Sequence, residues 1–119
     1  MNAGAAALVP TERVQAQVLG FVRPFIKRAL RDRVRYRYVQ PLVLQDGEGL
    51  RIQAPCCSRN VDPVGGVIDI ALLKPAPDGS WSLQMRDHAA QAWLPYADGL
   101  SLSEALDAVC TDAERTFWP

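Results

Sequence analysis

Nowhere in this chain does an apolar run approach the roughly 20 residues that a membrane-spanning helix requires, so no bilayer span is expected. Histidine is nearly absent, with His88 as the single example, and the cysteines are three, Cys56, Cys57 and Cys110. An odd number of thiols cannot pair completely within one chain. Residues 1–10 have no positive leading segment and no apolar stretch of useful length, so they read as a frayed tail rather than a signal peptide. Together these scarcities point to free thiols in a reducing cytoplasm. Adjacent cysteines and one histidine do not make a four-ligand metal set, and no cofactor is expected. Also missing are internal repeats, low-complexity linkers, and any helix-turn-helix, zinc-finger or aromatic RNA-binding signature.

Net charge is missing too, because 13 Lys and Arg balance 13 Asp and Glu. That zero conceals a segregation. Residues 1–60 hold ten basic residues against four acidic ones, and residues 61–119 hold three against nine, so the halves stand at +6 and −6. The excess is concentrated in Arg23, Lys27, Arg28, Arg31, Arg33, Arg35 and Arg37, opposed only by Asp32. Such asymmetry serves a nucleic-acid face, an acidic protein partner, or one half folding against the other. A homodimer joined basic half to acidic half follows from the same numbers.

With 49% hydrophobic and 22% charged residues over 119 positions, the composition is that of one globular domain. Residues 1–10 are read as a disordered tail and 11–119 as the domain. From Thr11, apolar residues recur at helical steps: Val14, Val18, Leu19, Val22, Phe25, Ile26, Ala29 and Leu30. Pro24 falls inside the stripe without breaking its phase, which predicts one kinked helix or two nearly collinear ones. From Arg33 the period becomes two. Val34, Tyr36 and Tyr38 alternate with Arg33, Arg35 and Arg37, the pattern of a strand with a buried and a wet face. A turn at Asp46-Gly47-Glu48-Gly49 then makes 33–55 a long hairpin.

Residues 55–66 form the longest irregular stretch, followed by an apolar strand at 67–73 and alternating Trp81, Leu83 and Met85. A short strand at 93–96 precedes Ser101-Leu102-Ser103-Glu104, which fits a capping box opening a helix with Leu106, Val109 and Cys110 on its buried side. Helix, five strands, helix: the expectation is an α+β fold, a mainly antiparallel sheet with both helices packed on one face. Trp81 and Trp93 are expected beneath those helices, and Trp118 is placed less firmly.

The spaced pattern Trp81-x-Leu83, Trp93-x-x-Tyr96, then Leu106, Val109 and Asp112 before a closing Phe117-Trp118, resembles the small bacterial proteins grouped as domain-of-unknown-function family 3024. Gln84 and Pro119 depart from that pattern. The resemblance supports the fold class and implies no activity, cofactor or catalytic residue.

For function, the basic stripe leads. Strand residues two apart stand roughly 6.5–7 Å apart, close to the ~7 Å spacing of phosphates along one strand, and arginine's fork suits phosphate. The ordinary reading of such a stripe is a solvated or self-neutralised surface. The functional reading is a non-enzymatic interaction module that docks an acidic partner through Lys27, Arg31, Arg33, Arg35 and Arg37. The alternative is nucleic-acid binding by the same arginines. A weaker alternative is a small-substrate enzyme using Cys57, Asp62 and His88, although His88 beside Asp87 in a turn is more ordinarily incidental. A ligand loop is sought at Ser58, Arg59, Asn60 and Asp62, together with Arg86 and His88. Asp69, between Ile68 and Ile70, is expected either to face solvent or to be buried and paired with Arg59 or Arg86.

Overall fold

The computed structural model describes residues 10–34, 40–56 and 66–119, with side chains in the first helix described from Val18 onward. Helix α1 spans Pro10–Ala29 and tightens into a 3-10 turn, Leu30–Asp32. Strands β1 (Leu42–Asp46), β2 (Gly49–Pro55), β3 (Val67–Pro75), β4 (Trp81–Asp87) and β5 (Ala92–Leu100) follow, and helix α2 (Leu102–Thr111) completes the order. The strands lie in sequence order in one sheet, every neighbouring pair antiparallel. This is the α+β architecture the periodicities predict. The strand expected at 93–96 is longer, running the full length of β5.

Pro24 lies within α1 and removes the N–H that would reach the Gly20 carbonyl. Both residues are exposed, so water can satisfy that carbonyl and the helix continues. Leu19, Ile26 and Leu30 are buried, with Val22 and Ala29 packed against them. Val18 and Phe25, expected in the same stripe, are exposed instead. Successive helix residues are about 100° apart, so Phe25 stands to one flank of Ile26, and only a narrow arc is covered.

The β1–β2 hairpin turns through Gly47 and Glu48, with Gly47 at φ +59°, a conformation glycine adopts without a Cβ penalty. Gly49 is needed for a different reason. A Cβ there would lie 2.6 Å from the Leu73 carbonyl oxygen and 2.9 Å from Lys74 Cγ. Gly49→Ala is therefore expected to push β3 away from β2 and lower stability by about 1–3 kcal/mol, read as a lower urea midpoint with an unchanged slope.

Alternation sorts β2 into two faces. Leu50, Ile52 and Ala54 are buried on the helix side, and Arg51 and Gln53 point to the other face. In β3 the register shifts: Ile52 pairs with Ala71 but Gln53 with Asp69, so Ile70 is an inserted bulge residue. Both Ile70 and Ala71 are then buried, while Asp69 stays beside Gln53 on the helix-free face. The helix side gathers Leu50, Ile52, Leu73, Trp81 and Leu83 with the buried stripes of α1 and α2 into one core. Each fully buried Leu or Ile contributes about 1.5–3 kcal/mol.

Helix α2 opens on the expected capping box. Glu104 N–H donates to Ser101 Oγ at 3.0 Å, and Ser101 N–H donates to Glu104 Oε1 at 2.8 Å. Its other end is locked by Asp112, which adopts a left-handed conformation at φ 41°. The Asp112 carboxylate accepts three backbone N–H groups, from Thr116 at 2.7 Å, Phe117 at 3.0 Å and Trp118 at 2.8 Å. The tail so folded buries Phe117 and Trp118, and the Trp118 indole N–H donates to the Val109 carbonyl at 2.9 Å.

Two expectations are corrected, Trp93 beneath the helices and Arg33 on the wet face of a strand. Trp118 is buried in the core, whereas Trp93 is only half-buried and sits on the helix-free face, opposite Arg86 in the β4–β5 register. Arg33 is not a wet-face strand residue. It follows the 3-10 turn in extended backbone, only 1% exposed, while its neighbour Val34 faces solvent, the reverse of the expected phase. Arg33 Nη1 donates to the Leu30 carbonyl at 2.7 Å, and the guanidinium carbon lies 4.6 Å from the Trp118 ring centre. A ring face and a carbonyl reward a desolvated guanidinium, and local periodicity carries no information about either. Arg35, Tyr36, Arg37 and Tyr38 lie outside the described residues, as does the tail at 1–9.

Candidate functional site

The last turns of α1 and the 3-10 turn that follows carry cations on the side away from the core. Arg23, Lys27, Arg28 and Arg31 are all exposed. None forms an ion pair with a described residue. Three acids of the second half are engaged elsewhere: Asp69 lies against Arg51 and Arg86, Glu104 caps α2, and Asp112 holds the tail. Among the described residues, direct contact with an acid therefore does not neutralise these four cations. Arg33 leaves the set because it is buried; Lys27 and Arg31 stay in it.

Beside the cations lies an apolar strip that sequence reasoning assigned to the core or missed. Phe21 is 83% exposed and Phe25 47%, with Val18 one turn earlier. Positions 18, 21, 25 and 28 fall on one flank of the helix at three- and four-residue steps. An open groove of about 450 Å³ is lined by Phe25, Arg28, Ala29, Arg31 and Asp32. The only available signal was phase: 19, 22, 26, 29 and 30 fill one arc, leaving 21 and 25 outside it. A ring exposed to this degree on a regular helix gains no burial from the fold, and four cations around it would strengthen contact with an acidic surface.

On the opposite side of the sheet, Arg51, Gln53, Asp69, Arg86 and Trp93 come together. Gln53 Nε2 donates to Asp69 Oδ1 at 2.9 Å. Arg51 and Arg86 stand 3.5 Å and 3.6 Å from the two Asp69 oxygens, so Asp69 is paired, with Arg86 as one of the partners expected. Arg59, the other expected partner, lies outside the described residues, together with Cys57, Ser58, Asn60 and Asp62. The candidate ligand loop is thus represented by its base, where the Cys56 N–H donates to the Gly66 carbonyl at 2.7 Å.

His88 is half-buried in the β4–β5 turn. Burial, followed by the charge of Arg86, holds its pKa below the usual histidine range despite the opposing pull of Asp69 and Asp87. Its neighbour is otherwise occupied, since Asp87 Oδ1 accepts the Ala90 N–H at 3.0 Å and closes the turn. No hydrogen bond joins His88 to Asp87 among the described residues, so the pair lacks the geometry of an acid–base dyad. Cys110 is a structural thiol. Burial pushes its pKa up to about 11, and its Sγ lies 3.5 Å from the Ala29 carbonyl. Because the folded pKa is raised above 9.0, the folded thiolate is roughly a hundredfold scarcer below pH 9 than that of an unperturbed thiol. Alkylation of Cys110 at pH 8 is expected to run at least tenfold slower in native protein than in urea; equal rates would remove the burial argument. No three of His, Cys, Asp and Glu gather as metal ligands among the described residues. No helix there is long and apolar enough to cross a membrane.

Comparison with known proteins adds one match. The model of a family described as a domain of unknown function, DUF3024, covers residues 20–119. No curated protein and no solved structure matches. The matched span includes the exposed turns of α1, the whole sheet and the Asp112-held tail.

Proposed function

We propose, for a chain that belongs to the DUF3024 family, a non-enzymatic role in the cytoplasm: α1 docks an acidic, amphipathic segment of a partner protein. One observation carries this reading. Phe21 and Phe25 stand exposed on the stretch of α1 and its 3-10 extension that carries Arg23, Lys27, Arg28 and Arg31, none of which is ion-paired to a described residue. The rings supply the apolar area that anchors an interface, and the cations supply register and attraction to carboxylates. Phe25, Arg28 and Arg31 line one groove, so an apolar side chain of the partner would sit there with its acids alongside. The electrostatic part is surface-exposed and weakens as salt shortens the screening length.

The test is fluorescence anisotropy of a labelled peptide with Glu at helical spacing around Leu and Phe. Binding is expected at low ionic strength and to weaken about tenfold in moderate salt. Phe21→Ser with Phe25→Ser, and separately Lys27→Glu with Arg31→Glu, should each reduce affinity by about tenfold or more. These are surface changes, so stability should move by only about 0.5 kcal/mol. Affinity unchanged in both variants would reject the reading. Tighter binding of random single-stranded DNA or RNA than of the peptide would instead assign the face to nucleic acid, where rings stack on bases and cations follow phosphates.

A further inference from the structure

The helix-free face holds a second charged group, independent of the α1 surface. Arg51 on β2 and Arg86 on β4 flank Asp69 on β3, and the three stand on the open side of the sheet because the Ile70 bulge resets the alternation. Arg51 Nη1 is 3.5 Å from Asp69 Oδ1, and Arg86 Nε is 3.6 Å from Asp69 Oδ2. Both separations exceed the roughly 2.7–2.9 Å of a charge-assisted hydrogen bond. Asp69 is already bonded, through Oδ1, to Gln53. Neither guanidinium donates a hydrogen bond to a described residue, and Arg51 Nε is closed off from solvent without one.

Surface ion pairs ordinarily leave both side chains wet, yet here the Asp69 and Arg86 side chains are only 13% and 16% exposed. A buried donor without a hydrogen bond, as at Arg51 Nε, is costly, which makes its retention informative. Arg86 is further fixed by Trp93, whose ring centre lies 5.0 Å from the guanidinium carbon. Stacking of this kind holds the planar fork ready for a bidentate acceptor. Asp46, 3.5 Å from Arg51 Nε, steadies the other fork from β1.

We propose that Arg51 and Arg86 form a binding site for an oxyanion, the phosphate or carboxylate group of a small ligand. Asp69 holds the two forks in place at long range without consuming their donors. Gln53 fixes Asp69, and Trp93 forms the apolar wall beside Arg86. Because the same carboxylate also repels an incoming anion, removing the Asp69 charge should tighten binding.

The test follows the arginine Nε–Hε and tryptophan indole resonances of isotope-labelled protein at constant ionic strength, titrated with inorganic phosphate in one arm and acetate in the other. Saturable shifts at Arg51, Arg86 and Trp93 are expected in at least one arm, and the tighter arm identifies the anion class. Arg86→Gln should weaken binding about tenfold, and Asp69→Asn, which keeps an acceptor for Gln53, should tighten it about tenfold. No saturable shift in the folded wild-type protein in either arm would overturn the site. Weaker binding in a folded Asp69→Asn variant would overturn it equally. Shifts spread over the α1 cations instead of these residues would show charge-driven association only, and would also count against it.

Discussion

Asp112→Ala is expected to cost roughly 3–5 kcal/mol, a large share of the ~5–15 kcal/mol that holds a domain of this kind. The carboxylate accepts the N–H groups of Thr116, Phe117 and Trp118 at once, within 3.0 Å of each. Alanine would leave those donors, two of them on fully buried residues, without an acceptor. It would also have to hold φ 41°, a left-handed conformation that Asp and Asn tolerate better than Ala. Asp112→Asn keeps the conformation and one acceptor oxygen, so it should fall between wild type and alanine. Urea unfolding followed by tryptophan fluorescence measures all three. A loss below about 1 kcal/mol for Asp112→Ala would show that the tail is held by packing alone.

Trp118→Ala is the second large effect, about 3–5 kcal/mol. The ring is 1% exposed, its N–H donates to the Val109 carbonyl at 2.9 Å, and its face carries the Arg33 guanidinium at 4.6 Å. Alanine removes the packing and the ring beneath a buried charge together. Trp118→Phe retains an aromatic face for Arg33 but orphans the Val109 carbonyl, so an intermediate loss is expected. Asp112 holds the backbone that carries Trp118, so the two alanine changes should be less than additive in the double variant. Full additivity would mean that the carboxylate and the ring act independently.

The fold was legible where the determining contacts are local. Ser101 and Glu104 announce a cap because both partners lie within one turn, and Gly47 announces a hairpin because the turn itself demands its conformation. Antiparallel order followed from short connections between runs of alternating residues. For Asp69 the sequence left two options, solvent or a buried pair, and the pair with Arg51 and Arg86 is the one found. What escaped the sequence depends on contacts distant along the chain. Arg33 reads as a wet strand residue until Trp118, at the far end, supplies a face for it. Asp112 reads as one more acid of an acidic half until the tail folds back onto it. Trp93 was assigned to the core because ring size predicts burial without saying which face of the sheet a strand presents.

The same limit shaped the candidate surface. Lys27 and Arg31 were found from charge alone and remain exposed. Phe25 was counted as core because a wide apolar stripe and a narrow covered arc look alike without the partner sheet. Phe21, the most exposed large apolar side chain among those described, carried no charge signal to mark it. With Arg33 buried and Arg35 and Arg37 outside the described residues, the proposed docking surface rests on a helix face with an apolar centre. Apolar anchoring also changes the expected response: high salt should weaken the complex without abolishing it.

The most direct measurement is a map of amide chemical shifts in isotope-labelled protein titrated with the acidic Glu/Leu/Phe peptide. Docking on α1 predicts saturable shifts concentrated between Phe21 and Arg31, absent from the Phe21→Ser, Phe25→Ser variant, and little change on the helix-free face around Asp69. No shift in that segment at saturating peptide, or shifts confined to the sheet, would contradict the assignment of α1 as the docking surface.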